Sequence, residues 1–133
     1  NTAQDGTGTE YNAGDSFTID ANTTLYAQWT NTAPSVSIDT PSKGEEVSKN
    51  DIVTFAATIS DTEEPNSSLE LVWRVDGGDT GTSNPISMNA LSDIGLGEHT
   101  ITLSVTDSGG LTTEESVTIE VLENVDSGIT IEF

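Results

Sequence analysis

The side chains of this sequence that could do chemistry are nearly all carboxylates. Asp61-Thr62-Glu63-Glu64-Pro65-Asn66 and Asp107-Ser108-Gly109-Gly110 set acidic groups among turn-forming residues. Hard divalent cations, Ca²⁺ above all, are held by carboxylate and carbonyl oxygens gathered on turns. No EF-hand spacing organises these residues, so any site must be assembled by the fold from separate loops. The competing reading is local, with Asp61 and Asp107 accepting backbone N–H groups of their own turns. A second acidic set, Glu45-Glu46, Asp76, Asp79 and Asp93, reads as a solvated rim.

Turnover chemistry lacks its parts. A hydrolytic triad needs an imidazole base beside a nucleophile and an orienting acid, and the chain has one histidine, His99, two residues before Ile101 on what reads as an inward strand face. Partial burial with a satisfied ring is the expectation there. Paired carboxylates could hydrolyse glycosides, but such sites need a groove with aromatic platforms, and aromatic residues make up 5% of the chain. Trp29 and Trp73 fall on apolar strand faces or their ends; packing is expected for both, with sugar stacking as the alternative for Trp29. Lys43 and Lys49 lie in a polar connection around Ser42-Lys43-Gly44-Glu45-Glu46 and read as solvated rather than as partners of an isopeptide bond. Asn22-Thr23-Thr24 and Asn66-Ser67-Ser68 fit the N-glycosylation pattern at a frequency expected by chance.

Charge narrows the partners. The 133 residues carry 23 Asp and Glu against 3 Lys and Arg, a formal charge of −20, which repels nucleic acid and anionic membrane surfaces and keeps a long surface protein soluble. No nucleic-acid partner and no direct membrane insertion are therefore expected, and no apolar run approaches the roughly 18 residues of a span. The start, Asn1-Thr2-Ala3-Gln4, lacks the basic-then-apolar order of a signal peptide, as expected of a piece from the middle of a longer secreted chain. With no Cys, neither a disulfide nor a thiolate metal site is available.

The elements that must position these residues are strands. Val53, Phe55, Ala57 and Ile59 alternate with polar residues, as do Leu69, Leu71, Trp73 and Val75, then Ile101, Leu103 and Val105, then Val117, Ile119 and Val121, with a shorter pair at Val36 and Ile38. A period of two puts each apolar set on one face of a strand. Two antiparallel layers sharing those faces bury them all. Weaker strand material covers Pro85 to Leu91, with a short edge strand before it. Near the start, Phe17 and Ile19 alternate, then Leu25, Ala27 and Trp29, with Asp20-Ala21-Asn22-Thr23 as the turn of a hairpin. A two-stranded ribbon alone is marginal in water.

Two resemblances sharpen this. Ala3-Gln4-Asp5-Gly6-Thr7-Gly8-Thr9, Tyr11-Asn12-Ala13-Gly14-Asp15 and Leu25-Tyr26-Ala27-Gln28-Trp29 resemble the second half of an internalin-type B-repeat, the Listeria-Bacteroides repeat. Trp73-Arg74-Val75-Asp76-Gly77-Gly78 and Gly97-Glu98-His99-Thr100-Ile101-Thr102-Leu103-Ser104-Val105-Thr106-Asp107 are similar to PKD-type and bacterial Ig-like domains, with His99 where that family carries Tyr. The organisation expected is residues 1–30 as a partial repeat hairpin, 31–123 as an all-β Ig/PKD-like antiparallel sandwich, and 124–133 as a tail or the first strand of a next module.

The resemblance implies a non-catalytic extracellular module, on a cell surface or secreted, acting as a spacer or adhesion domain of a bacterial surface protein. Its partners would be neighbouring modules and a host or matrix protein or glycan. The alternative is a carbohydrate-binding accessory module of a secreted hydrolase. In Ig topology the start of the first strand, the loop between the second and third, and the loop between the last two share one end. Asp61, Glu63, Glu64 and Asp107 are thereby expected to converge, and calcium is the cofactor they would hold, stiffening the seam near Asn31 to Pro34.

Overall fold

Wherever apolar and hydroxyl-bearing residues alternate beyond Pro34, the chain is extended. The computed structural model describes residues 1–19, 21–124 and 132. Contacts divide the chain into two units, residues 1–31 and 32–133.

Among its described residues the second unit has eight strands: β1 Ser35–Thr40, β2 Glu45–Ser48, β3 Ile52–Ser60, β4 Glu70–Val75, β5 Gly78–Gly81, β6 Ile86–Asn89, β7 Gly97–Thr106 and β8 Thr112–Leu122. They form a three-stranded sheet, β1-β3-β6, and a five-stranded sheet, β2-β8-β7-β4-β5. The expected all-β sandwich is present. Val53 and Phe55 of one sheet meet Trp73, Ile101, Leu103 and Ile119 of the other, all buried. Phe55 and Trp73 are fully buried with ring centroids 5.5 Å apart, and the Trp73 indole N–H donates to the Ser83 carbonyl, so its one polar atom is satisfied. Each such buried side chain contributes about 2–3 kcal/mol. Trp73→Ala would cost about 3–5 kcal/mol.

Register fixes which loops meet. β1 pairs with β3 antiparallel from Ser35↔Ser60, and β7 with β8 from Thr106↔Thr112 to Gly97↔Val121. The chain therefore enters the sandwich beside the loop after β3 and leaves it beside the start of β7, at the opposite end. β4 and β5 are joined by Asp76-Gly77, both with positive φ (49° and 83°). That two-residue turn matches the twist of a hairpin and favours Gly at its second position.

Three local expectations are corrected. Glu45–Ser48, read as part of a polar connection, is strand β2, and it runs parallel to β8; Val47 is buried there, and a lone inward apolar residue among charges was too short a pattern to register as a strand. The strand material up to Leu91 stops at Asn89, and Ala90–Ile94 form a single π-type turn. Finally, no strand forms among the described residues of 1–31, where a hairpin was expected; its turn residue Asp20 lies outside them. A ribbon with no third strand or apolar cover lacks the burial that offsets backbone ordering. Trp29, placed by its alternation on an apolar face, is 91% exposed.

The first unit is instead held by loop chemistry. The Asn1 side chain donates to the Gly6 carbonyl and accepts from the Ala3 N–H, Thr9 N–H bonds Thr2 Oγ1, and the Asp5 carboxylate accepts from Thr7. Gly8 is required by this packing, since a Cβ there would collide with Thr2 Oγ1 and the Ala3 nitrogen. Tyr11 and Phe17 stack at 4.8 Å. Most of 124–133, expected as a tail or the first strand of a next module on the alternation of Ile129, Ile131 and Phe133, lies outside the described residues.

Candidate metal centre

Two loops close over the end of the sandwich where β1 begins. The loop after β3 brings Asp61 and Glu64, and the β7–β8 turn brings Asp107. One carboxylate oxygen from each lies within 4.8 Å of the others. Asp107 is buried at 5% exposure, while Asp61 and Glu64 are half-buried. Ca²⁺ takes oxygens at about 2.3–2.6 Å, so two ligands on opposite sides of one ion are at most about 5 Å apart. The observed spread fits inside that shell.

The local alternative is also realised, and it uses only part of each group. Asp61 Oδ1 accepts the N–H groups of Glu63 and Glu64 (2.7 and 3.1 Å). Asp107 Oδ1 accepts the Leu111 N–H at 2.9 Å while the Asp107 N–H donates to the Leu111 carbonyl. Glu64 Oε1 crosses between loops to take the Ser108 N–H at 2.7 Å. These bonds aim the side chains. They leave Asp61 Oδ2 buried and without a hydrogen-bond partner among the described residues, an arrangement that costs several kcal/mol for a charged oxygen unless a proton or cation meets it.

Glu63 lies outside this three-way convergence, although its side chain also meets that of Asp61. Its carboxylate turns to the start of the strand, accepting from the Thr32 hydroxyl at 2.7 Å, the Thr32 N–H and the Thr62 hydroxyl. Those bonds, the Thr32 hydroxyl first and the Thr62 hydroxyl next, hold it below the usual carboxylate range. It ties the entry of the chain to the loop after β3.

The basic residues sit elsewhere. Arg74 spans Asp79 and Glu114 across the five-stranded sheet, Lys49 pairs with Glu123, and Lys43 is exposed. His99 occupies the expected inward position, 13% exposed, with Nδ1 2.7 Å from Asp76 Oδ2; its Nε2 is buried without a partner among the described residues. The Thr100 N–H, and then the His99 ring, lower the Asp76 carboxyl below its ordinary value. No spacing in the sequence signals this pair, because it arises from register: Val75 opposite Ile101 sets Asp76 beside Thr100. Among the described residues no hydroxyl is hydrogen-bonded to the His99 ring. Asn66, one of the two glycosylation-pattern residues, has its amide committed to the Ile59 carbonyl.

No helix among the described residues is long and apolar enough to cross a membrane. The sequence matches no curated protein. Among solved structures, the fibronectin(III)-like modules of Clostridium thermocellum CbhA align at 22% identity over 65% of this chain and 95% of theirs, TM-score 0.52. The PKD1 domain of Vibrio anguillarum Epp aligns at 22% identity over 69% and 96%, TM-score 0.51. SGBP-B of a Bacteroides ovatus mixed-linkage glucan utilization locus, solved with a mixed-linkage heptasaccharide, aligns at 16% identity over 68% of this chain and 24% of its own, TM-score 0.51. At these identities the likeness is one of fold. A family described as bacterial Ig domain matches residues 34–105, which takes in Asp61, Glu63 and Glu64 and stops just before Asp107. That match spans more than half of the sequence, and with the two-sheet architecture it places the chain in the bacterial Ig domain family.

Proposed function

We propose that this chain is a non-catalytic extracellular module of a bacterial surface protein, a spacer or adhesion domain whose entry end is braced by Ca²⁺. The observation that carries the spacer reading is the path of the chain: it enters beside Ser60 and leaves beside Gly97, at opposite ends of strands of which β7 has ten residues. Such a module adds about 33 Å of reach, at roughly 3.3 Å per residue. Asp61, Glu64 and Asp107 are the ligands assigned to the cation, joined by loop carbonyls and water, and Glu63 acts beside them by fastening Thr32. Bound Ca²⁺ would lock the two loops together without supplying any reaction. Residues 1–30, as half of a B-repeat, fit the same setting.

Calorimetric melting with excess chelator and with about 10 mM Ca²⁺ tests the brace, that concentration lying above the affinities of extracellular modules. With a Kd of about 1 mM the gain is about 1.4 kcal/mol, raising Tm by roughly 5–10 °C. Coincident curves would remove the site while leaving the spacer geometry in place. A second reading, a carbohydrate-binding accessory module of a secreted hydrolase, is supported by the fold shared with the Bacteroides protein seen with a heptasaccharide; inertness toward glycans would set it aside.

A further inference from the structure

We infer that residues 1–31 carry a binding site for a neutral oligosaccharide, seated against Tyr11 and Tyr26. This deepens the carbohydrate-binding reading by naming a site, and it is independent of the cation brace.

The aromatic residues of the chain are unevenly spent. Phe55 and Trp73 are interior to the sandwich, whereas Tyr11, Phe17, Tyr26 and Trp29 all fall within the first 31 residues. There they do not make a closed core: Tyr26 is 37% exposed and Trp29 91%. Within this unit a cleft of about 550 Å³ lies between the two tyrosines, with Glu10, Asn12 and Gln28 among its walls. That volume falls in the ordinary range for small-ligand sites.

The wall chemistry selects the ligand. A pyranose ring has an apolar C–H face and a rim of hydroxyls that both donate and accept. Tyrosine rings supply flat apolar area with a polar tip, and carboxamides and a carboxylate supply paired donors and acceptors for adjacent hydroxyls. Among the described residues the Glu10 carboxylate, the Asn12 side-chain amide and both tyrosine hydroxyls make no hydrogen bond. Gln28 uses only its Nε2, toward the Gln4 carbonyl. Tyr11 is steadied by Phe17, and the Tyr26 backbone exchanges hydrogen bonds with Asn1, so the two platforms are held while their polar tips stay unused. The first 31 residues contain no Lys or Arg, which excludes sulfated, sialylated and phosphorylated ligands on charge.

The test presents the full chain to an array of neutral plant, microbial and host oligosaccharides, followed by titration calorimetry and amide NMR shifts with the best binder. Retention of at least one neutral glycan is expected, with shifts confined to residues near 10–13 and 26–28. Tyr26→Ala should weaken binding about tenfold, and the double variant Glu10→Ala/Asn12→Ala by a similar factor, while Tyr26→Phe keeps the ring and changes affinity less than about threefold. The double variant removes side chains that hold nothing in place, so it decides the matter even where Tyr26→Ala disturbs the unit. An array without a retained neutral glycan, shifts located on the sandwich, or unchanged affinity in the double variant would each overturn the assignment.

Discussion

The two ends of the sandwich are both acidic, and they are built on opposite principles. At the exit end each described aspartate has its own donor: Asp76 has the Thr100 N–H and His99, Asp93 the Asn89 N–H, Asp51 the Ser48 N–H and Asp79 the Arg74 guanidinium. At the entry end Asp61, Glu64 and Asp107 face one another within 4.8 Å, and Asp61 Oδ2 is buried without a hydrogen-bond partner among the described residues. The same residue type at similar density thus gives a solvated rim in one place and a cation cradle in the other. A charge of −20 does not make a site; convergence and burial do.

The largest way to break the contrast is Asp107→Ala. It removes the acceptor of the part-buried Leu111 N–H and should cost about 1 kcal/mol in urea unfolding with chelator present, and it should erase the response to Ca²⁺. A sharper variant is Asp61→Asn. The amide keeps the Oδ1 bonds to Glu63 and Glu64 and puts a donor where the orphaned oxygen lies. Tm in chelator should therefore rise by a few degrees, on the order of 1 kcal/mol, while the Ca²⁺ increment disappears. Asp79→Asn at the other end should leave that increment intact. An increment that survived Asp61→Asn would show that the ion binds elsewhere.

Much of this was legible from residue order. Period-two alternation located β1, β3, β4, β7 and β8 and the inward faces of each, because a buried sheet face is a strong constraint on sequence. Ig topology then brought the Asp61 and Asp107 loops together. What escaped notice was set by small shifts of direction. Glu63 and Glu64 are adjacent, so their side chains diverge, and only Glu64 can reach across to Ser108. β2 escaped because four residues with one buried valine carry too little pattern. The hairpin expected in residues 1–31 failed for a different reason: alternation there has no second layer to be buried against, and Trp29 is left in solvent.

Acid sharpens the comparison further. The Asp76 carboxyl is held below its ordinary value of 3.8, first by the Thr100 N–H and then by His99, so the folded state binds its proton less readily than the unfolded chain does. Its contribution to stability is complete above about pH 4 and is lost as pH falls through the lower folded value. Asp76→Asn should thus lessen the fall in urea midpoint between pH 5 and pH 2.5, a window chosen to bracket roughly the ordinary carboxyl range.

The smallest effect belongs to Glu63, which is lowered by its bonds to Thr32 and Thr62 but is exposed. Solvent screening makes such a contribution slight. Glu63→Gln keeps an acceptor for the Thr32 hydroxyl and leaves Asp61, Glu64 and Asp107 in place. Stability at neutral pH should be nearly unchanged and the Ca²⁺ increment in Tm should persist. Loss of the increment in this variant, measured beside Asp61→Asn, would show that Glu63 swings into the cradle when the ion arrives. The entry end would then be a set of four carboxylates that rearranges on binding rather than three already in position.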